Sequence, residues 1–313
     1  MKPAPLVSIV APFYDEGEMV ERFHARVVAV LSAVPDLRFE LVCVNDGSRD
    51  DTLERLRRLV ERDARVRVLD LSRNFGKEAA LSAGLEAARG DAVVPIDADL
   101  QDPPELIAEM LERWRGGAEV VLARRTDRSA DSWAKRSTAS VFYRMQAAIG
   151  DIRIPDNVGD FRLMDRRVLD ALLQLPERCR FMKGMFAWVG FRTETVDYVR
   201  APRLAGRTRF SGWRLWNLAL EGFTSFSTVP LRVWTYLGLA IATIAFAYGA
   251  FIVARTLIHG IDVPGYASLL VVVLFLGGIQ LVGIGVIGEY IGRIYLETKQ
   301  RPLYVVRERI ERD

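Results

Sequence analysis

"DAVVPIDADLQDPPEL" spans Asp91–Leu106. Its apolar start runs directly into Asp97, Asp99 and Asp102. A strand buried on both faces reads as continuous apolar sequence. The stretch therefore predicts a buried strand, Asp91–Asp99, with carboxylates crowded at its carboxyl end. Asp97 and Asp99 alternate, so a continuing strand would point them to opposite sides. A turn at the strand end lets both reach one ion.

Four more runs have the same form: Leu6–Phe13, broken near its end by Pro12, then Phe39–Ser48, Val66–Ser72 and Ala118–Arg125. Helical spacing fills the gaps. Asp50–Asp63 puts Leu53, Leu56, Leu59 and Val60 on one face, with Asp50 or Asp51 available as a cap. Gly76–Gly90 is rich in alanine and closes on glycine. Apolar strands alternating with amphipathic helices predict an α/β fold with a mostly parallel sheet covered on both faces. Ligands in such folds bind at the carboxyl ends of the strands, where the acids of Asp91–Leu106 fall.

Hard oxygen ligands in this arrangement suit Mg²⁺ or Mn²⁺, which keep waters and bind phosphate oxygens as well. The bland alternative is helix capping: Asp102-Pro103-Pro104-Glu105 offers a cap, first-turn prolines and a first-turn acid. Asp102 is assigned the cap, Asp99 the metal and Asp97 the nucleotide side. A divalent ion beside a parallel sheet points to a nucleoside diphosphate. No G-x-G-x-x-G follows the first strand and no G-x-x-x-x-G-K-[ST] occurs, so hydride transfer and P-loop ATPase chemistry are unsupported.

The 313 residues carry a net charge of +3, too modest to indicate nucleic-acid binding. Two cysteines, Cys43 and Cys179, make no disulfide framework, and Cys43 is expected in the core. No signal peptide is legible at the start of the sequence, so the N-terminal part is expected in the cytoplasm. Half the residues are hydrophobic, and they concentrate late. Val233–Ala254 and Tyr266–Gly288 contain no charged residue. A hydrocarbon core of about 30 Å takes about 20 such residues as helix, so two spans are expected. Basic flanks (Arg203, Arg207, Arg209, Arg214 and Arg232 before, Arg293, Lys299, Arg301, Arg307 and Arg309 after) place both ends in the cytoplasm. Gly277, Gly278, Gly283, Gly285 and Gly288 suit close helix contact. Trp213, Trp216, Leu220 and Phe223 follow helical spacing in Ser211–Arg232, which reads as an amphipathic helix in the membrane interface. The expected units are a catalytic domain over 1–210, the interfacial helix over 211–232, a membrane hairpin over 233–290 and a cytoplasmic tail over 291–313.

"VNDGSRDDT" (Val44–Thr52), Leu71–Ile107, "VGDFRLMDRRV" (Val158–Val168), Glu177–Phe191 and "EYIGRIYLETKQRPLYVV" (Glu289–Val306) together resemble the family 2 inverting glycosyltransferases. More narrowly, they resemble the bacterial polyprenyl-phosphate glycosyltransferases, relatives of bactoprenol glucosyltransferase and dolichol-phosphate mannose synthase. The resemblance covers nearly the whole chain. It implies a GT-A fold, a nucleotide-sugar donor (UDP-glucose, with GDP-mannose or a UDP-N-acetylhexosamine as alternatives) and a divalent metal. It also implies an undecaprenyl or other polyprenyl phosphate acceptor, the bacterial inner membrane and a homo-oligomer, a tetramer.

By that resemblance, Pro12, Glu16, Asp46 and Asp97 match nucleotide-sugar contacts. Asp99 matches the metal ligand of the D-x-D motif and Gln101 the polar residue beside it. Arg124, with Arg136 and Ser140, resembles a phosphate-binding set. Asp15 stands where asparagine is commoner, and Asn45 where aspartate is commoner. The acceptor phosphate is already an anionic nucleophile and needs no strong base. The metal and arginines then stabilise the leaving diphosphate. Asp160 is expected to orient sugar or acceptor, or else to form an ion pair with Arg162 or Arg166. Arg207 and Arg209, in a basic loop, are expected to meet lipid phosphate or anionic headgroups. Gly76-Lys77 opens a helix and could face phosphate or merely pack. Two other readings compete. A processive polymerase of the same family needs several spans and a Q-x-x-R-W motif, which is absent. A membrane-anchored sensor would bind nucleotide sugar without turnover.

Overall fold

The computed structural model describes residues 4–126, 157–177, 182–199, 229–259 and 265–312. Arg136, Ser140, Arg207 and Arg209, and nearly all of the expected interfacial helix, lie outside these residues.

The strands are β1 (Leu6–Phe13), β2 (Arg38–Asn45), β3 (Val66–Leu71), β4 (Ala92–Pro95), β5 (Val120–Arg125), β6 (Val158–Asp165), β7 (Thr193–Tyr198) and β8 (Val306–Ile310). They form one sheet in the order β7-β5-β6-β4-β1-β2-β3-β8. β1 is parallel to β2 and β4, β2 to β3, and β5 to β7. β6 runs antiparallel to β4 and β5, and β8 antiparallel to β3.

The helices are α1 (Gly17–Ser32), α2 (Thr52–Arg62), α3 (Lys77–Ala87), α4 (Leu106–Arg115), α5 (Arg166–Leu173), α6 (Met182–Trp188), α7 (Val229–His259) and α8 (Tyr266–Thr298). Alternate residues of the central strands feed two cores. Ile9, Ala11, Phe13, Leu41 and Val94 pack with Phe23 and Val27 of α1, Leu56 of α2 and Ile107 of α4. Val10, Val42, Val44 and Val93 face the other way, onto Ala80, Ala83, Leu169 and Met185 of α3, α5 and α6. Cys43 is buried, as expected.

Several local expectations change. β1 continues through Pro12, which pairs in register with Val44 of β2. Pro12 lies past Val10, the last residue of β1 in register with β4. Its missing N–H therefore costs no ladder bond on that side. β4 ends at Pro95, so Asp97 and Asp99 sit on the following loop, not on the strand. Asp102 does not cap α4, whose N-cap position is Glu105 without a side-chain cap bond. At α2, the Asp50 side chain accepts the Thr52 N–H at 3.1 Å, so Asp50 takes the capping part.

The segment after α8 returns to the sheet. Its strand β8 closes the β3 edge, with Val68 opposite Ile310 and Leu71 opposite Val306. Arg307 donates to the Ser72 carbonyl at 2.6 Å and reaches Asp70 at 3.4 Å. Arg57 pairs with Glu308, and Arg67 with Glu311 at 2.9 Å.

α7 and α8 have 31 and 33 residues and expose large apolar side chains such as Phe246, Leu257, Phe275 and Leu281. Among the described residues, Phe275–Thr298 of α8 is long and apolar enough to cross a membrane, and Tyr236–Phe251 of α7 is a shorter apolar stretch. α7 starts at Val229, four residues ahead of the expected span. A Cβ on Gly283 would lie 3.6 Å from the Trp234 ring, an ordinary contact distance, so the helices face each other there without requiring a glycine. At Gly277, Gly278, Gly285 and Gly288 it would meet nothing within 4 Å.

Candidate active site

The carboxyl ends of β1, β2, β4 and β5 and the start of antiparallel β6 share one edge of the sheet. Loops leaving these ends carry most of the expected residues. The loop after β1 turns at Asp15, whose φ is +52°. The loop after β2 stitches it down: the Glu16 N–H donates to Thr52 Oγ1 and the Gly17 N–H to Asp50, at 3.0 and 3.1 Å. The Arg49 N–H donates to Asp15 Oδ1 at 2.9 Å.

Asn45, at the end of β2, is buried and donates through Nδ2 to Asp70 Oδ1 at 2.8 Å. A donor is needed at this position, which accounts for an amide there. Asp46, only 3% exposed, accepts the N–H groups of Phe75 and Gly76 at 2.7 and 3.0 Å. Burial pushes its carboxyl up, against those two donors and nearby Arg73, which pull it down. Asp46 thus fixes the loop that starts α3. Gly47 allows this approach: its φ is +64°, and a Cβ would stand 2.4 Å from the Arg73 carbonyl carbon.

The first residue of α3 is Lys77. Its ammonium lies 2.7 Å from Asp97 Oδ1, 2.9 Å from Asp97 Oδ2 and 2.7 Å from Asp160 Oδ2. Burial works against the ammonium, but Asp97 and then Asp160 outweigh it and hold its pKa above the ordinary lysine value. The expected partners of Asp160 are engaged elsewhere. Arg162 is buried, stacks on Phe186, and donates to the Gly159 carbonyl at 2.7 Å and more weakly to the Asp160 carbonyl. Burial lowers its pKa to about 10. Arg166 donates to the Gly90 and Ala88 carbonyls. The sequence singles out Lys77 as a helix opener but does not announce this acid–lysine–acid bridge.

Asp99 is 7% exposed, and its Oδ1 accepts the Gln101 N–H at 3.1 Å across Leu100, whose φ is +54°. Among the described residues no three His, Cys, Asp or Glu side chains form a metal cage. Mg²⁺ and Mn²⁺ sites of the nucleotide kind need no cage: one or two carboxylates, phosphate oxygens and water complete the shell. The Asp99 carboxylate beside the Gln101 amide fits such a shared site in donor type.

Arg124 and Arg125 point to opposite sides of β5. Arg124 makes a two-point ion pair with Asp197 of β7, at 2.7 and 2.9 Å. Arg125 is the one directed toward the acids, 3.8 Å from Asp102. It donates to the Tyr198 hydroxyl at 3.1 Å, and that hydroxyl donates to Asp102. Burial pushes Tyr198 up to about 12, with Asp102 adding to it.

The acid-bearing loops therefore gather at the strand ends of a largely parallel sheet, where ligands of such folds bind. The glycosyl transferase family 2 model matches residues 8–173, and the model of the GtrB C-terminal hairpin matches residues 229–294. The chain belongs to glycosyl transferase family 2. Three curated relatives, each matched over 96% of this chain, are similar to it from end to end. A glycosyltransferase of Synechocystis is 53% identical over 94% of its own length. The Escherichia coli prophage bactoprenol glucosyl transferase homolog is 52% identical over 98%, and the bactoprenol glucosyl transferase of Shigella phage SfV 53% over 98%. The sheet is GT-A-like in its topology.

Proposed function

We propose that this family 2 enzyme transfers glucose from UDP-glucose to undecaprenyl or a related polyprenyl phosphate, with inversion at the sugar carbon. The product is a polyprenyl-monophosphate sugar made at the cytoplasmic face of the bacterial inner membrane. The observation that carries this reading is the 52–53% identity, over 96% of the chain, to proteins named bactoprenol glucosyl transferase.

A phosphate oxygen of the acceptor attacks the anomeric carbon, and the bond to the donor's diphosphate breaks. The nucleophile is already an anion, so no protein base has to take a proton. Glu16 and the loop after β1 would meet the nucleoside, with Pro12 and Asp97 on the donor's side. Asp160 would orient sugar or acceptor. Arg125 is directed at this cleft, whereas Arg124 would have to exchange Asp197 for phosphate, with Arg136 and Ser140 beside it. A divalent cation, Mg²⁺ or Mn²⁺, would be held by Asp99 and Gln101 and would supply charge for the leaving diphosphate. Arg207 and Arg209 would meet the lipid phosphate.

Two crossings by α7 and α8 agree with the sheet: β8 follows α8 and lies beside β3, so the chain before and after the hairpin is on one side. Residues 211–232 would lie in the interface, and assembly would be a tetramer.

The test is transfer by the purified full chain, with radiolabelled nucleotide sugars and undecaprenyl phosphate. UDP-glucose should label the lipid best, and only with Mg²⁺ or Mn²⁺ present. Labelling by GDP-mannose or a UDP-N-acetylhexosamine instead would change the donor. Donor binding with no transfer from any of these would leave the sensor reading.

A further inference from the structure

Lys77, Asp97 and Asp160 come from three separate elements: the start of α3, the loop after β4 and the start of β6. Each is placed by structure unrelated to the others. Asp46 holds the Phe75 and Gly76 N–H groups and so sets where α3 begins. Asp97 follows the end of β4. Asp160 leaves β6 next to Gly159, whose carbonyl is held by buried Arg162. They converge on one ammonium, within 2.7 Å of an oxygen of each acid.

Two carboxylates drawn so close repel each other unless a cation lies between them. They would also form, by themselves, an attractive pair of ligands for a divalent ion. Both oxygens of Asp97 are engaged by the lysine. We propose that Lys77 is a positioning residue, the standing counter-ion of the Asp97–Asp160 pair. It holds both acids on one ammonium in the donor-free protein and keeps a divalent cation from settling on them ahead of the donor. The metal then binds well only together with the donor's diphosphate, and the acids stay placed for sugar and acceptor. This inference rests on the reading of metal-assisted glycosyl transfer.

The test uses the full chain in detergent and Mn²⁺ alone, with free Mn²⁺ read by electron paramagnetic resonance. Removing the ammonium leaves two close carboxylates without the cation that competes for them. Lys77→Met should therefore bind Mn²⁺ alone about tenfold or more tightly than wild type, equivalent to about 1.4 kcal/mol of lost competition, while Lys77→Arg stays close to wild type. Added UDP should tighten Mn²⁺ binding in wild type and narrow the difference. At saturating donor, kcat of Lys77→Met should fall about tenfold or more with donor KM changed little, and Lys77→Arg should recover part of it. Equal Mn²⁺ affinity in all three proteins overturns the inference. So does a raised donor KM with intact kcat, which would make Lys77 a donor contact. If Lys77→Met does not fold, Asp160→Asn decides: with the lysine still on Asp97, its affinity for Mn²⁺ alone should not exceed wild type, and a gain overturns the proposal. Absence of sugar transfer by wild type, with the Mn²⁺ pattern intact, would sink the functional reading and not this one.

Discussion

Gly47→Ala measures how tightly the loop after β2 is pressed onto the loop that starts α3. Two costs add. At a φ of +64° an alanine takes on left-handed strain of about 1–2 kcal/mol. It regains about 0.4–1 kcal/mol through a less flexible unfolded chain. Its Cβ would also stand 2.4, 2.5 and 2.8 Å from main-chain atoms of Arg73 and Asn74. Backbone cannot swing aside as a side chain can, and forced overpacking costs about 1–3 kcal/mol. The sum is about 2–4 kcal/mol. Gly117→Ala is the internal control: its φ is +101°, but a Cβ there meets nothing within 4 Å. It should show the strain without the collision, about 1 kcal/mol or less. For a domain of this size each kcal/mol moves Tm by about 2–4 °C. Thermal melting of the detergent-purified chain should show Gly47→Ala lower by about 4–16 °C and Gly117→Ala by about 4 °C at most. The residual Gly47→Ala protein should also turn over poorly, because the displaced segment is the one Asp46 uses to place Lys77. Equal shifts for the two variants would refute the reasoning.

Asp99→Asn keeps size and removes a charged ligand, so turnover should fall at least about 100-fold and a chelator should silence wild type; near-normal turnover of the variant would remove Asp99 from the metal. A cysteine in place of Val263 should react with a membrane-impermeant reagent from outside intact cells, while a reporter after Asp313 behaves as internal; labelling only after lysis would refute the hairpin. Arg207→Ala with Arg209→Ala should raise the KM for polyprenyl phosphate about 10- to 100-fold, as for loss of charge-assisted phosphate bonds, with nucleotide-sugar affinity by calorimetry unchanged; the reverse pattern would assign the loop to the donor. Tyr198 titrates near 12 when folded and near 10 when unfolded, so the folded state disfavours its ionisation. Its contribution is intact below about pH 10 and is lost as pH rises toward 12. Tyr198→Phe should be less stable near neutrality, because Asp102 loses a donor, yet melt with a shallower decline between about pH 10 and 12; identical alkaline slopes would refute this.

Strands β1 to β5 were legible because they are largely buried, which leaves mostly apolar runs, whereas β7, parallel to β5 but half exposed with the sequence TETVDY, was not. β6 and β8 obey other rules. β6 carries Asp160 and Arg162 within its span, and Arg162 enters the core only because backbone carbonyls and the Phe186 ring receive it. No local pattern announces that. β8 reads "VRERI", an edge strand whose charges face solvent and partner ions, and it resembles tail. The same limit applies in the site. The D-x-D loop announced itself through composition, and the Asp99–Gln101 contact is local. Lys77 meets acids 20 and 83 residues away, a distance that only the sheet order converts into contact. Arg124 and Arg125 differ by one position, and which of them faces the cleft is fixed by the strand's alternation together with Asp197 on β7. Even the sole Arg-Trp pair, Arg113-Trp114, serves the packing of α4 against β6, where the Trp114 indole donates to Asp165 at 2.9 Å.

β8 gives this chain an unusual order of assembly. The β3 edge is made early, yet the strand that covers it is synthesised only after both long helices: Arg307 reaches Asp70 across 237 positions. Closing so long a loop costs only logarithmically more than closing a short one, but pairing over that separation is slow. Until it happens, β3 is a bare edge able to pair with another chain. If α7 and α8 both cross the bilayer, as proposed above, the covering strand returns to the sheet's side only when both helices have inserted. A chain that inserted one helix would then strand β8 across the membrane and leave the β3 edge open to pairing with another chain. On that reading, the pairing of β8 with β3 would report that both helices had inserted, and an open β3 edge would mark the molecules in which one had not.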